Sequence, residues 1–280
     1  IVKFKLVPSF SLNVNVPRDT LDIIINFIRT RVSDANSDGV VLGLSGGIDS
    51  AVTLSLAVKA LGSDKVTGLI MPFTVTESVD LATSHAKSLS VDTKVIDISD
   101  IVSSYKDNSS LFSEQLSEGN LHSRIRMSLL YGAGFSSNCL VIGTSNKSEL
   151  LIGYWTKWGD GGTDFLPIGD LYKTQVFELG KILDIPFEIL VRKPTAELWP
   201  DQTDEQEFGF TYDELDHVLS ELERFNAVSK INEKTGVSVE KIDKIRGLVR
   251  ASIHKRVFPP VCKIGLRTVG LDWRETIGSQ

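Results

Sequence analysis

The sequence predicts an α/β fold whose parallel sheet carries helices on both faces. Short apolar runs alternate with segments whose apolar residues recur every three or four positions, the pattern of buried strands followed by helices. A glycine turn joins the first such run, residues 40–44, directly to a helical pattern in which Val52, Leu56 and Ala60 recur every four residues. Ligands of parallel sheets bind at the carboxyl ends of the strands. The loops that follow the strands are therefore the candidate functional segments.

The predicted elements follow in chain order. A helix begins near Pro17, a residue suited to a first helical turn, and its apolar stripe includes Ile24, Ile28 and Val32. Strands are predicted at 40–44, 66–71, 93–98 and 139–142, and helices at 50–61, 77–89, 119–135 and 173–183. Two further helical stripes run through 212–222 and 242–249. We expect residues 1–16 to form an arm or an edge strand of a single domain spanning residues 1–280.

Composition excludes several classes of function. The chain has 280 residues, of which 41% are apolar and 24% charged, as in soluble globular proteins. Its net charge of −6 argues against nonspecific binding to nucleic acid. No apolar segment reaches membrane-spanning length. The two cysteines, Cys139 and Cys262, form no metal-binding pair and are typical of a reducing compartment, so we expect a cytoplasmic protein without a zinc site.

The glycine turn predicts a phosphate site. It reads Ser45-Gly-Gly-Ile-Asp-Ser50 and lies between a strand and a helix. Backbone N–H groups in such a turn converge on one point, and the helix dipole adds partial positive charge there. The turn lacks the lysine of a Walker A loop and carries Asp49 instead. A carboxylate beside a phosphate needs a cation between them, and Mg²⁺ is the usual one. The alternative is an ordinary turn whose glycines only permit close packing.

Two further segments offer candidates for the same edge of the sheet. Residues 143–149 follow the predicted fourth strand, and Glu149 there is a second candidate ligand for Mg²⁺. Thr144 is a candidate donor to a nucleotide; a simple capped helix start is an equal alternative. On the predicted helix 119–135, Arg124 and Arg126 are two residues apart and face different sides. One of them is therefore available to an anionic ligand. The alternative is that both arginines simply lie on a solvent-exposed face of the helix.

The segment from 153 to 170 is rich in glycine and aromatic residues, as many binding loops are. Lys157, Asp160 and Asp164 lie in it, and turn chemistry is their alternative role. Lys173 begins the next helix. It either reaches a phosphate or is simply exposed, and composition favours the exposed position. The polar composition of residues 192–209 predicts a mobile lid, and Thr195 near its start is a candidate contact to a phosphate.

These motifs resemble a known family. The glycine turn resembles the pyrophosphatase-type loop (PP-loop) of ATP-dependent adenylating enzymes. Five later blocks resemble NAD⁺ synthetase in its ammonia-dependent form: Asn120-Leu-His-Ser-Arg-Ile-Arg-Met127, Gly143-Thr-Ser-Asn-Lys-Ser-Glu149, Tyr154-Trp-Thr-Lys-Trp-Gly-Asp-Gly-Gly-Thr-Asp164, Leu171-Tyr-Lys-Thr-Gln175 and Lys193-Pro-Thr-Ala-Glu-Leu198. The glutamine-hydrolysing domain of the longer family members has no counterpart in this sequence, which favours direct use of ammonia.

The resemblance implies a Rossmann-like, doubly wound sheet of the adenine nucleotide alpha hydrolase type, and a ligase that amidates deamido-NAD⁺ to NAD⁺ through an acyl-adenylate. Asp49, Lys173 and Asp164 would be catalytic, and Asp49 and Glu149 would hold Mg²⁺. The implied ATP contacts are Gly43, Leu44, Ser45, Gly46, Gly47, Ile48, Asp49, Ser50, Thr144, Lys173 and Thr195. The implied deamido-NAD⁺ contacts are Arg124, Lys157, Asp164, His254 and Lys255. The family also implies a homodimer.

Two other functions fit the phosphate loop. One is another adenylating enzyme of the same superfamily, such as a GMP synthetase or a tRNA-thiolating enzyme; the latter normally needs catalytic cysteines. The other is a nucleotide-binding module without catalysis. Binding alone does not require the paired acids Asp49 and Glu149, which favours an enzyme.

Overall fold

The computed structural model of the chain describes residues 16, 19–195 and 202–268. Four strands form one sheet: β1 Gly39–Gly43, β2 Val66–Ile70, β3 Asp92–Val95 and β4 Cys139–Val141. Every strand pair is parallel, and the strand order is β3-β2-β1-β4. The order reverses its direction between β1 and β4, which creates a crevice at the carboxyl ends of these two strands. The prediction of a doubly wound parallel sheet is confirmed.

Helices connect and cover the strands. The first eight are α1 Thr20–Asp34, α2 Ile48–Leu61, α3 Glu77–Ser88, α4 Ser99–Asn108, α5 Gln115–Ser136, α6 Lys147–Ile152, α7 Lys173–Ile182 and α8 Phe187–Leu190. The C-terminal helices are α9 Asp204–Phe208, α10 Tyr212–Glu223, α11 Val228–Thr235 and α12 Val239–Ala251, followed by a 3₁₀ turn at Ile253–Lys255. In the described part of the chain, none of these helices is long and apolar enough to cross a membrane.

The core divides into three clusters. Val40 and Leu42 of β1 pack against α1, α2 and α7 on one face of the sheet, while Val41 points to the other face and packs against α4 and α5. This alternation is the two-residue period of a strand. A third cluster joins α6 to α9, α10, α11 and α12 around Tyr212 and Leu215. The predicted helical stripes in 212–222 and 242–249 are confirmed as core faces.

Several boundaries differ from those predicted. α2 begins at Ile48 rather than residue 50, because Gly47 takes the N-cap position and the phosphate loop is shorter than the motif. β3 spans Asp92–Val95 and is shorter than predicted, although the N–H groups of Ile96 and Ile98 still donate to the carbonyls of Ile70 and Pro72 beside it. Helix α5 starts four residues early. The predicted lid is partly helical through α9, and its residues 196–201, like the predicted arm at 1–16 apart from Val16, lie outside the described residues.

Candidate active site

The phosphate loop turns tightly between β1 and α2. Gly46 has a φ of +75°, and a Cβ there would lie 2.3 Å from the carbonyl oxygen of Ser78. Only glycine fits this conformation and approach without strain. Inside the turn, the Ser50 hydroxyl donates to the carbonyl of Gly47 at 3.0 Å, and the Gly47 N–H donates to Ser45 Oγ at 3.2 Å. The hydroxyls thus brace the loop just before the N-terminus of α2, the dipole end that attracts an anion.

The second strand-end loop lies against the first. Asn146 is fully buried and donates from Nδ2 to Asp49 Oδ1 at 3.0 Å. The same side chain caps α6 by accepting from the N–H of Glu149 at 3.1 Å, and Glu149 Oε2 accepts from the Asn146 N–H in return. This capping box shows that Asn146 is the N-cap residue of α6. It also fixes Asp49 and Glu149 relative to each other.

Lys173 lies between the two acids. Its ammonium donates to Asp49 Oδ2 and, at 3.1 Å, to Glu149 Oε1. The lysine is 2% exposed, so the expectation of an exposed residue from composition is wrong. The Tyr212 ring lies 5.1 Å from the ammonium, a favourable distance for a cation–π contact. Three elements, α2, α6 and α7, therefore meet at one buried cation.

Burial and opposing charges shift the pKa values at this cluster. Burial, aided by the nearby Asp49 and Asp204, raises the pKa of Glu149 to about 8, although Lys173 opposes the shift. Burial alone would lower the pKa of Lys173, but Asp49 and Glu149 raise it above its ordinary value. The lysine therefore stays charged at neutral pH. Strongly shifted groups of opposite sign at the end of a phosphate loop are characteristic of catalytic sites.

Two residues that the sequence did not indicate complete the cluster. Asp204 at the start of α9 is 3% exposed, and its Oδ2 accepts from the hydroxyl of Tyr212 at 2.8 Å. The same hydroxyl lies 3.4 Å from Glu149 Oε1. Burial raises the pKa of Asp204, with Lys173 opposing it. Tyr212 reads as a core residue in its helical stripe, and Asp204 as one acid in an acidic run, so neither carried a distinguishing pattern.

The acid pair is a suitable donor set for Mg²⁺. In the described ranges no group of three or more His, Cys, Asp or Glu side chains is arranged to hold a metal by itself. Mg²⁺ does not need one, because it takes one or two carboxylates and completes its shell with water and substrate phosphate. Asp49 and Glu149 already share one cation, the ammonium of Lys173. The two acids thus fit the predicted ion.

The glycine-aromatic segment after α6 is irregular, as predicted, and α5 anchors it. Asp160 Oδ1 accepts from the Ser123 hydroxyl at 2.6 Å and from the N–H of Thr156 at 2.9 Å. Asp164 is exposed; its Oδ1 accepts from the Tyr131 hydroxyl at 3.0 Å, and its Oδ2 from the N–H of Val141 at 2.7 Å. Asp164 is thereby fixed at the end of β4, one strand away from the phosphate loop.

The predicted substrate residues gather around this segment. Arg124 is exposed and its Nε lies 3.4 Å from the carbonyl of Lys157, whereas Nε of Arg126 donates to the carbonyl of Met71 at 2.9 Å. The two arginines thus face different sides, as their spacing predicts. The Lys157 ammonium donates to the carbonyl of His254 at 2.9 Å, and the His254 side chain is exposed.

Lys255 holds the same segment in place. Its ammonium donates to the carbonyls of Gly153 at 2.7 Å and Trp155 at 2.6 Å, and it lies 5.4 Å from the Trp155 ring. Substrate contact by Lys255 stays a prediction, as it does for Thr144 and Thr195, which are both half-buried. The structure thus places Asp49, Glu149 and Lys173 together at the phosphate loop, and gathers the predicted substrate residues around the glycine-aromatic segment.

Comparison with known proteins identifies the relatives of this chain. A family model described as NAD synthase matches residues 20–259. An NH₃-dependent NAD⁺ synthetase from Archaeoglobus fulgidus is 48% identical over 244 residues, covering 86% of this chain and 95% of the relative. Among solved structures, an NMN synthetase from Francisella tularensis is 35% identical with a TM-score of 0.79, covering 89% of this chain and 100% of that one. An NH₃-dependent NAD synthetase from Campylobacter jejuni is 33% identical with a TM-score of 0.75, covering 88% and 98%.

Proposed function

We propose that the chain, which belongs to the NAD synthase family, amidates deamido-NAD⁺ to NAD⁺ with ammonia and ATP, the last step of NAD⁺ biosynthesis. The observation that carries the proposal is the buried Lys173 ammonium between Asp49 and Glu149, at the end of a phosphate loop without a Walker lysine. The curated relative from Archaeoglobus fulgidus is an NH₃-dependent NAD⁺ synthetase, which supports ammonia as the nitrogen donor. We further propose a cytoplasmic homodimer.

The reaction has two steps. The nicotinate carboxylate attacks the α-phosphorus of ATP, giving an acyl-adenylate and pyrophosphate. Ammonia then attacks the acyl carbon, the bond to AMP breaks, and the amide forms with loss of a proton. Cleavage at the α-phosphate differs from the γ-phosphate transfer of kinases. It leaves pyrophosphate to be held, and the glycine loop with the N-terminus of α2 is suited to hold it.

Charge neutralisation is the main requirement of the first step, because an anion approaches an anionic phosphate. The N–H groups of the loop and the Lys173 ammonium supply fixed positive charge where negative charge accumulates. Mg²⁺, held by Asp49 and Glu149, would add Lewis-acid stabilisation of the phosphate oxygens. Arg124 and Lys157 offer cationic groups to the dinucleotide. Correct positioning of the nicotinate carboxylate against the α-phosphorus supplies much of the remaining rate acceleration.

The second step needs a dry site and an unprotonated amine. An acyl-adenylate hydrolyses readily, so we assign residues 192–209 the role of a lid that excludes water. Its Thr195 and Thr144 of the second loop would contact ATP. We assign to Asp164 the orientation of ammonia, since its carboxylate is fixed by Tyr131 and Val141 at the carboxyl end of β4.

The test is an assay with protein, Mg²⁺-ATP, ammonium and deamido-NAD⁺, with NAD⁺, AMP and pyrophosphate measured together. We expect equal amounts of the three products. Nicotinate mononucleotide is added as a competing carboxylate substrate, because the similar Francisella tularensis structure is an NMN synthetase. If the enzyme amidates the mononucleotide faster than deamido-NAD⁺, the mononucleotide is the substrate and the proposal of deamido-NAD⁺ fails.

The Asp49→Asn variant tests the assignment of the acid pair. We expect it to keep its fold, because the Lys173 ammonium keeps its contact with Glu149 and one of the two bonds to residue 49 can still form, and to lose pyrophosphate release. Near-normal release by this variant would refute the metal assignment. Product formation without AMP would refute the adenylate mechanism itself.

A further inference from the structure

Asp216 is a buried carboxylate that the proposed mechanism does not use. It lies on α10, whose apolar residues belong to the third core cluster, and has 0% exposure. Its Oδ1 accepts from the hydroxyl of Ser148, and its Oδ2 accepts from the N–H of Thr174 at 2.9 Å. The Ser148 oxygen in turn accepts from the N–H of Lys173 at 2.9 Å. One carboxylate of α10 therefore ties α6 to the start of α7.

These bonds cap a helix from outside its own sequence. The first N–H groups of a helix have no partner within it, and the hydroxyl of Tyr172, the N-cap residue of α7, accepts no hydrogen bond from them. Ser148 and Asp216 accept from the first two instead. A carboxylate at a helix N-terminus is also stabilised by the helix dipole. The position of the first turn of α7 thus depends on α10.

The consequence for the site follows from chain neighbours. Glu149 is the residue after Ser148, and Lys173 is the residue before Thr174, so the partners of Asp216 adjoin both charged groups. Tyr212, one helical turn before Asp216 on the same face of α10, places its hydroxyl 3.4 Å from Glu149 and its ring 5.1 Å from the Lys173 ammonium. One face of α10 supports both sides of the acid–lysine cluster.

We infer that Asp216 is a positioning residue for the adenylation step. It sets the Lys173 ammonium and the Glu149 carboxylate against the phosphate loop, and it touches no substrate itself. Only the kinetic test of this inference rests on the proposed function; the binding test does not. Groups that orient a site without contacting the reactants commonly change activity 10- to 100-fold, on the order seen for the outer partners of metal ligands.

The Asp216→Asn variant keeps the shape of the side chain but turns one acceptor into a donor, which faces either the Ser148 hydroxyl or the Thr174 N–H. We expect kcat/KM for Mg²⁺-ATP to fall about 10- to 100-fold, with KM for ammonium unchanged. The matched control is Glu221→Gln. Glu221 is a buried carboxylate on the same helix, but its partners are Arg224, Lys234 and Asn226, away from the site. It should lose stability while keeping the wild-type kcat/KM.

Binding without turnover separates this inference from the proposed function. A non-cleavable α,β-methylene analogue of ATP with Mg²⁺ is titrated by calorimetry, and we expect weaker binding to Asp216→Asn than to Glu221→Gln. If the wild type makes no NAD⁺, the proposed function fails, while this comparison still decides the role of Asp216. Equal analogue affinity in the two variants would overturn the inference.

Ser148→Ala provides a second variant, should Asp216→Asn not fold. It removes the link to Lys173 but keeps the bond from Asp216 to Thr174. The same selective loss in kcat/KM for Mg²⁺-ATP is expected, and wild-type kinetics in Ser148→Ala would contradict the inference. Where both fold, the double variant should lose no more than Asp216→Asn alone, because the two side chains act through one network.

Discussion

Removing the Lys173 ammonium tests the central cluster most directly. In a Lys173→Met variant, the carboxylates of Asp49 and Glu149 lose their shared cation, and Asp204 stays close by. At an effective dielectric constant of about 20, each contact at roughly 3 Å amounts to about 5 kcal/mol of direct attraction. Breaking one side of a buried pair costs about 3–5 kcal/mol in practice, because the remaining charge is left without a partner.

The expected result is a large fall in thermal stability. A loss of about 3–5 kcal/mol corresponds to a decrease in Tm of about 6–20 °C for a protein of this size. The loss should be larger at pH 9 than at pH 7. Burial raises the pKa of Glu149 to about 8 even with the lysine present. At pH 7 the carboxyl is therefore mostly protonated in both proteins, whereas at pH 9 it ionises beside the ammonium in the wild type and without a cation in the variant.

A second measurement ties the result to the metal assignment. With the lysine removed, Mg²⁺ alone should raise the Tm of Lys173→Met far more than that of the wild type, because it replaces the missing cation between the acids. The control is Lys147→Met. Lys147 also contacts two acids, Asp170 at 3.1 Å and Glu223 at 2.5 Å, and an aromatic ring at 4.8 Å, but these acids are exposed. Its loss should cost less than about 1 kcal/mol. Equal losses in the two variants would refute this account of the cluster.

Two further predictions concern single residues. Gly46→Ala should lower stability by at least about 1–2 kcal/mol and weaken ATP binding, since the φ of Gly46 is +75° and the new Cβ would meet the Ser78 carbonyl. The control, Gly247→Ala in α12, places a Cβ where no atom lies within 4 Å and should stabilise the protein by up to about 1 kcal/mol. Urea titrations of the two variants measure both changes in the free energy of unfolding. Burial, and to a smaller extent Arg126, lowers the pKa of His122 to about 4. The unfolded chain therefore binds more protons than the folded chain between about pH 6.5 and 4, and the wild type loses stability as the pH falls through this range. In unfolding titrations, His122→Met should lose about 3 kcal/mol less stability than the wild type over the same range. Identical pH dependence would show that His122 does not carry the effect.

The sheet and the phosphate loop were predictable because their causes are local. Strand β1 is a continuous apolar run, and the glycines that follow it permit a conformation that other residues rarely adopt. Strand β2 repeats this buried pattern, whereas β3 at the edge of the sheet is mostly exposed. The order of the strands, which places β1 beside β4, follows from how the crossovers pack, and the loops at 44–47 and 143–146 meet only because of that order.

The acid–lysine cluster was predictable only in part. Asp49 and Glu149 stood in recognisable loops, but composition favoured an exposed Lys173, because a lone lysine at a helix start is usually solvated. Its burial depends on Tyr212 and Asp204, which are distant in sequence and come from the C-terminal helices. Local patterns therefore located the acids, and tertiary packing decided what lies between them.

The site lies where two core clusters meet, and this has a consequence for its stability. Asp49 belongs to α2, which packs into the first cluster against the sheet, while α6 contributes Ile152 to the third cluster with Tyr212 and the C-terminal helices. Lys173 connects the two through its contacts with Asp49 and Glu149. Local opening of the C-terminal helices would leave the phosphate loop intact but would displace Glu149 and Tyr212 from the lysine. The phosphate loop and the acid–lysine cluster therefore depend on different parts of the fold, and a change confined to the C-terminal helices can reduce adenylation while the phosphate loop stays formed.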